Sequence, residues 1–381
     1  MVYDVIVLGG GVAGLATLEA LTRRDEKLRV LLIERFELGH SHGSSHGHSR
    51  ISRAAYHDPL FANLSRVARS EDWPRLERAA GKPLLFANTG CILGPASGQV
   101  PVYAEACRAA GAAVESITLD EARRAFPALR FPDNYAVLRD DSASVVAAAE
   151  TIEVLVALAR ERGAEIREET RCLTIDRSGT NIILDTDHGK LETKRLVVTA
   201  GSWTASLLPE YEPQLTTVRQ MVAYFELDAP VADMQIGKFP IWIHLGAEEG
   251  HLHYGLPEFG RPGIKAARHR AQPEVEGGDD PEPTTSDVPQ AEIDELREWF
   301  APLLNTKIKR VIDHERCLYT LTRNEDFRLC RLSRDSRITV GTGLSGHGFK
   351  FAPLLGRLLS ELALDGGTSV AEFEAARARF G

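Results

Sequence analysis

Val5-Ile6-Val7-Leu8-Gly9-Gly10-Gly11-Val12-Ala13-Gly14 is an apolar run that ends in glycines and gives way to a helical pattern carrying Leu15, Leu18 and Leu21. Residues 3–8 read as a buried strand, 12–23 as a helix and 28–33 as a second buried strand; one such unit implies a parallel sheet. Gly9 permits the tight turn, Gly11 lets a pyrophosphate approach the backbone, and Gly14 lets helix and strand pack closely. The helix N-terminus then offers free N–H groups and a positive dipole end to the phosphates. Glu34 closes the second strand, where a carboxylate accepts ribose hydroxyls. An acidic residue there favours NAD or FAD over NADP and does not choose between the first two.

Outward from this unit, 381 residues are too many for one simple core and predict two joined domains. Hydrophobic residues make up 43% and charged residues 26%, the balance of a soluble globular chain. A formal charge of −9 leaves no basic footprint and argues against a nucleic-acid partner. Five cysteines with no CxxC pair argue against a disulfide framework and against a zinc site, and suit a reducing cytoplasm. The first residues lack the basic and apolar regions of a signal peptide, and no apolar stretch approaches the roughly 18–20 residues that span a bilayer. No membrane is expected.

Residues 38–49, rich in His, Gly and Ser, read as a loop, and helical patterns follow near 60–78, 102–110 and 143–162. Strand patterns fall at 84–93, 135–138, 166–175, 181–186 and 196–199. From 218 to 254 short runs at 221–227, 240–245 and 251–254 suggest an antiparallel layer. Residues 271–288 hold Pro, Gly, Asp and Glu with almost nothing apolar and predict an exposed loop, followed by a helix over 291–300.

The far end of the chain chooses between the cofactors. A last strand at 338–340 leads into Gly341-Thr342-Gly343-Leu344-Ser345-Gly346-His347-Gly348-Phe349-Lys350 and a helix over 353–364. Glycines ahead of a helix let backbone N–H groups face an electron-rich ring edge, and the helix dipole would stabilise negative charge on a reduced flavin.

With these elements in place, the sequence resembles the monomeric sarcosine oxidase family, which includes N-methyltryptophan and pipecolate oxidases, within the D-amino-acid-oxidase superfamily. The matching pieces run in family order: Gly9 to Gly14 with Glu34, Ser45-His46-Gly47-His48-Ser49-Arg50-Ile51-Ser52-Arg53, Ala200-Gly201-Ser202-Trp203, Tyr254-Gly255-Leu256-Pro257, Lys265, Cys317-Leu318-Tyr319-Thr320, and Ser345-Gly346-His347-Gly348-Phe349-Lys350. The resemblance implies an α/β plus α+β architecture: a Rossmann-like FAD-binding domain from residues 1–84, 145–216 and 322–381, and a discontinuous antiparallel-sheet substrate domain from 85–144 and 217–321. It also implies a monomer.

By the same resemblance, Cys317 carries FAD through a thioether to the flavin 8α-methyl carbon, a thiolate being the natural nucleophile for that electron-poor methyl group. Ser45, His46, Gly201, Gly346, His347 and Gly348 would line the cofactor. Arg50 and Lys265 would flank the isoalloxazine ring, Lys265 where O2 is reduced and a fixed positive charge stabilises superoxide. Arg53 and Lys350 would clamp the substrate carboxylate, and Tyr254 and His269 would shape the amine site. The implied reaction oxidises the C–N bond of a small secondary amino acid, sarcosine or another N-methyl or cyclic one, to an imine and reduces O2 to hydrogen peroxide. A flavin dehydrogenase passing electrons to a different acceptor shares the fold and the clamp; only Lys265 argues against it. An NAD-linked dehydrogenase, for which the N-terminal motif suffices, and a non-catalytic flavoprotein are the more distant rivals.

The x-His-x-His spacing of His40, His42, His46 and His48 invites a metal, but the resemblance sets this loop against the flavin and implies none. His48-Ser49 stands where an acidic residue and Thr are frequent in the family. The acidic stretch 271–288 also departs from the family's compact form.

Overall fold

Strands that are apolar almost throughout need cover on both faces, and Val2–Leu8 and Val30–Ile33 obtain it by lying parallel in the middle of one sheet. The chain is described by a computed structural model over residues 1–247, 252–269 and 288–381, with the backbone alone at 212 and 213. The parallel part of this first sheet runs Glu165–Arg167, Val30–Ile33, Val2–Leu8, Gly189–Val198 and Asp335–Thr342. Gly189–Val198 divides its free edge: Leu196 to Val198 pair with Asp335–Thr342, while its first half pairs antiparallel with Ile182–Thr186, which in turn pairs with Cys172–Asp176. The last strand of the chain thus sits two places from the first, with Gly189–Val198 between them, and both deliver their C-terminal ends to the same edge.

Alternate side chains of Val2–Leu8 feed two cores. Val5 and Val7 pack with Leu15, Leu18, Leu155, Leu355 and Leu359 of the helices Val12–Arg24, Ala148–Glu161 and Ala352–Asp365. Ile6 and Leu8 pack on the other face with Leu31, Ile33, Leu184 and Leu208. Close approach needs glycine at two points: a Cβ on Gly14 would stand 1.9 Å from the Gly9 carbonyl oxygen, and one on Gly356 2.2 Å from that of Ala16.

The second sheet runs Ile308–Leu321, Thr216–Leu227, Ile264–His269, Leu252–Leu256, Ile241–Leu245, Gly90–Pro95, Tyr135–Asp140 and Val114–Ile117. It is antiparallel except where Ile241–Leu245 meets Gly90–Pro95. Helix Gln290–Phe300 covers one face through Leu296 and Phe300, packed with Phe225, Trp242, Ile264 and Ala266. A third, small sheet joins Ser49–Ser52, Ser144–Ala147 and Leu85–Ala87, so it draws strands from both predicted domains.

The expected architecture is present, with local corrections. Residues 143–162 are not one helix: β-branched Val145 and Val146 enter the strand Ser144–Ala147 before the helix Ala148–Glu161 begins. Residues 84–93 split into Leu85–Ala87 and Gly90–Pro95, which belong to different sheets. The helix expected over 60–78 carries a wide turn at Ala68–Asp72 just before Pro74, which has no N–H to continue the ladder. The acidic stretch 271–288 lies outside the described residues apart from Val288, as does the start of the strand expected at 251–254.

Candidate active site

Side chains on a strand point alternately to the two faces of its sheet, and the second sheet's register sorts the chemistry onto the face opposite helix Gln290–Phe300. Gln220 opposes Cys317, Val222 opposes both Glu315 and Ala267, and Tyr224 opposes both Asp313 and Lys265. Tyr254 opposes Ala267, and His269 opposes Leu252. Cys317, Tyr319, Glu315, Lys265, Tyr254 and His269 therefore share one face, and all six line a single cavity of about 1170 Å³. The same cavity reaches the glycine turn of the first sheet. Every predicted site residue except Gly14 lines it; Gly14 sits behind, at the helix–strand contact.

At the nucleotide end, Gly9 has φ +109°, which L side chains rarely adopt. A Cβ on Gly11 would meet only the Ser45 hydroxyl, at 3.2 Å, so this backbone is open to a ligand. Ser45 Oγ accepts from the Val12 amide at 3.0 Å and ties the His/Gly/Ser loop to the start of the helix. Glu34 is buried and accepts from the amides of Gly10 at 2.6 Å and Phe36 at 2.9 Å. Burial pushes its carboxyl upward, but the bonds from His40, Gly10 and Phe36 outweigh that and hold it below the usual carboxylate range. Gly201, φ +54°, follows the end of Gly189–Val198 and has nothing within 4 Å of where a Cβ would lie.

The His/Gly/Ser loop is stitched at its middle to the second sheet. Leu318 N donates to the Gly43 carbonyl at 3.2 Å, and Ser44 Oγ donates to the Leu318 carbonyl, one residue from Cys317. Arg50 leaves the loop and donates to the carbonyls of Ser44, His46 and Ser49. His46 is pushed down to about 4 by burial and by Arg50, and its Nδ1 is buried without a partner among the described residues. His40 and His42 instead pack their rings against Phe36, and among the described residues no three metal-ligating side chains converge. Lys265, 4% exposed, donates to the Ser49 carbonyl at 3.3 Å. Burial and the Arg50 charge bring it down to about 7. Burial also raises the Cys317 thiol, against the pull of Arg50 and Lys265. The thiol is therefore the resting form of Cys317, and the expected thiolate must be generated by loss of a proton.

At the far end, Arg53 and Lys350 are both buried and meet at Tyr56. The guanidinium lies 4.5 Å from the ring centroid and the ammonium 5.2 Å. Lys350 donates to the Tyr56 hydroxyl at 3.0 Å, and that hydroxyl lies 3.4 Å from His347 Nδ1. Burial holds His347 well below its ordinary value, so it is neutral. Its Nε2 lies 3.0 Å from the Glu325 carbonyl and must carry the proton, which leaves Nδ1 to accept from Tyr56. His269 does not stand free: its Nε2 lies 3.3 Å from Glu325 Oε1, and its ring tilts against Tyr319. Tyr254 and Tyr319 hydroxyls are 3.4 Å apart. Tyr56, Glu315 and Glu325 are cavity residues that sequence reading missed. The signal for Glu315 was its place two residues before Cys317, hence on the same face of one strand.

The cavity joins a dinucleotide turn to a cluster of buried basic side chains, and the chain belongs to the FAD-dependent oxidoreductase family, which it matches over residues 4–362, so it is a flavoenzyme. Within that family it is similar to human peroxisomal sarcosine oxidase, 32% identical over 373 residues, 95% of this chain and 92% of that one. Monomeric sarcosine oxidase of Bacillus sp. (strain B-0618) is 30% identical over 378 residues, covering 96% and 93%. N-methyl-L-tryptophan oxidase of Escherichia coli is 28% identical over 375 residues, 96% of each chain. The fold is shared with NikD, an unusual amino acid oxidase, at a TM-score of 0.82 and 22% identity, covering 100% and 97%. It is also shared with L-proline dehydrogenase from P. horikoshii, at 0.80 and 18%, covering 99% and 98%. The residues present fit FAD: an open glycine turn, a buried carboxylate beside it, an unpartnered His46 nitrogen and one long cavity reaching Lys265.

Proposed function

We propose that this flavoprotein oxidises the C–N bond of a small secondary amino acid, sarcosine or another N-methyl or cyclic one, and reduces O2 to hydrogen peroxide. One observation carries the reading: Arg53 and Lys350, two buried basic side chains meeting at Tyr56, make no ion pair among the described residues and face the cavity that holds Lys265 and Cys317. Two like charges in a dry pocket are unfavourable until an anion arrives, and a substrate carboxylate supplies it. Arg53 offers a planar fork and Lys350 a point charge, so together they fix the acid group and aim the neighbouring amine toward Tyr254 and His269.

Bound FAD supplies the redox chemistry, accepting two electrons and a hydrogen from the substrate and passing the electrons to O2. In this reading Gly9, Gly11 and Glu34 hold its nucleotide half. Ser45, His46, Gly201, Gly346, His347 and Gly348 line it, and Cys317 bonds the flavin through sulfur. Arg50 and Lys265 hold positive charge at the ring, and Lys265 stabilises superoxide as it forms. Labour divides between residues 1–84, 145–216 and 322–381, which hold the cofactor, and 85–144 and 217–321, which hold the substrate. The enzyme works as a cytoplasmic monomer without nucleic-acid or membrane partners; among the described residues no helix is long and apolar enough to cross a membrane.

Peroxide release in air-saturated buffer with a panel of N-methyl and cyclic amino acids tests the oxidase assignment. Turnover with an artificial electron acceptor but none with O2 would mark a dehydrogenase instead.

A further inference from the structure

Among the described residues five acidic side chains line the cavity (Glu34, Asp58, Glu315, Glu325 and Asp326), and of these only Glu315 lies on the sheet face that carries Lys265 and Cys317. It is held from two sides. Tyr224 donates its hydroxyl to Glu315 Oε2 at 3.1 Å, and Arg261 Nη1 donates to Oε1 while its other nitrogen bonds Asp313. Arg261 also lies over the Tyr224 ring, 4.2 Å from its centroid, so the clamp is a stacked unit. Tyr224 is the direct cross-strand neighbour of Lys265, whose Nζ lies 5.8 Å from the same ring centroid. On the loop side a Cβ at Gly47 would stand 3.3 Å from Glu315 Oε2 and 3.4 Å from Arg50 Nη1, so carboxylate and guanidinium both border the space that the missing side chain leaves.

We propose that Glu315 is a positioning residue of the oxidase reaction: clamped by Arg261 and Tyr224, it is the counterion that keeps Lys265 protonated where O2 is reduced. The proposal rests on the reading of Lys265 given above. The charged and titratable groups around that amine come from every element packed on it: Arg50 from Ser49–Ser52, His46 from the loop, Cys317 and Glu315 from Ile308–Leu321, Tyr224 from Thr216–Leu227, Tyr254 from Leu252–Leu256, and Arg261 from the turn ahead of Ile264–His269. Burial, Arg50 and Arg261 all work against an ammonium there, and Glu315 is the carboxylate among its neighbours that works for it. Removing that carboxylate leaves the cations unopposed, so Lys265 loses its proton at lower pH.

The test uses oxidised holoenzyme under nitrogen, with flavin absorbance followed against pH in the wild type, Lys265→Met, Glu315→Gln and Glu315→Met, each shown by its melting curve to be folded. The wild type is expected to show a spectral step that Lys265→Met abolishes. Its midpoint falls by about one pH unit or more in both Glu315 variants and stays near the wild-type value in Glu315→Asp. The pH profile of reduced-enzyme reoxidation by O2 moves down with it, while anaerobic reduction by substrate changes far less. An unmoved midpoint in folded Glu315→Gln and Glu315→Met, or no Lys265-dependent step in the wild type, overturns the proposal. If Lys265→Met leaves the O2 rate intact, the oxygen role of Lys265 falls, while a moved midpoint still supports the charge coupling.

Discussion

Arg53 and Lys350 converge on the Tyr56 ring, 4.5 and 5.2 Å from its centroid, and neither makes an ion pair among the described residues. Burial and the Arg53 charge drive Lys350 well below its ordinary value, so a free ammonium is disfavoured there. A bound carboxylate reverses this and raises it. Binding of a carboxylate ligand therefore takes up a proton, and affinity falls as pH rises. Removing either cation should weaken an amine-free carboxylate ligand by roughly 1.5–3 kcal/mol, about ten- to a hundredfold in Kd. Flavin difference spectra against ligand concentration measure this for Arg53→Met and Lys350→Met, and calorimetry in buffers of different ionisation enthalpy measures the proton.

Lys265→Met should slow reoxidation of the reduced enzyme by O2 far more than it slows anaerobic reduction by substrate. A charge that acts only on the developing superoxide leaves the first half-reaction alone. Stopped-flow measurement of each half-reaction separates the two, and equal losses in both would remove Lys265 from this role.

Cys317 stands on the cavity face of Ile308–Leu321, two residues from Glu315. Acid precipitation of the wild type should leave the yellow colour in the pellet, and Cys317→Ser should release it to the supernatant. A colourless wild-type pellet would remove the tether and leave the rest of the site standing.

Glu34 tests the nucleotide end through stability. Its folded value lies below that of an unfolded glutamate, so its contribution is fully present above about pH 4.3 and is lost as pH falls through the lower folded value. Glu34→Gln should therefore lose about 1–2 kcal/mol at neutral pH, with the gap to the wild type closing in acid. Urea unfolding at several pH values follows it.

The nucleotide half of the fold was legible because its signals are local: a glycine turn between two apolar strands, and an acidic residue at the end of the second. The C-terminal glycines were legible for the same reason. The second sheet was legible only in part: the short runs expected at 221–227 and 240–245 are among its strands, but its longest strand went unread. Ile308–Leu321 carries Lys309, Arg310, Asp313, Glu315 and Arg316, which hide its alternation, and its cavity face shows only when Thr216–Leu227 is paired beside it. Tyr56 escaped because its significance lies in Arg53 and Lys350 meeting there, almost three hundred residues apart in sequence. His269 was anticipated by resemblance, yet its partner Glu325 depends on a left-handed turn, φ +57°, that no pattern announces.

The most direct measurement is the anaerobic addition of secondary amino acids to the yellow holoenzyme. At least one N-methyl or cyclic amino acid should bleach the flavin, and admission of O2 should restore the colour with release of peroxide. A flavin that every such amino acid leaves unbleached, while a primary amino acid or an amine without a carboxylate reduces it, would contradict the assignment.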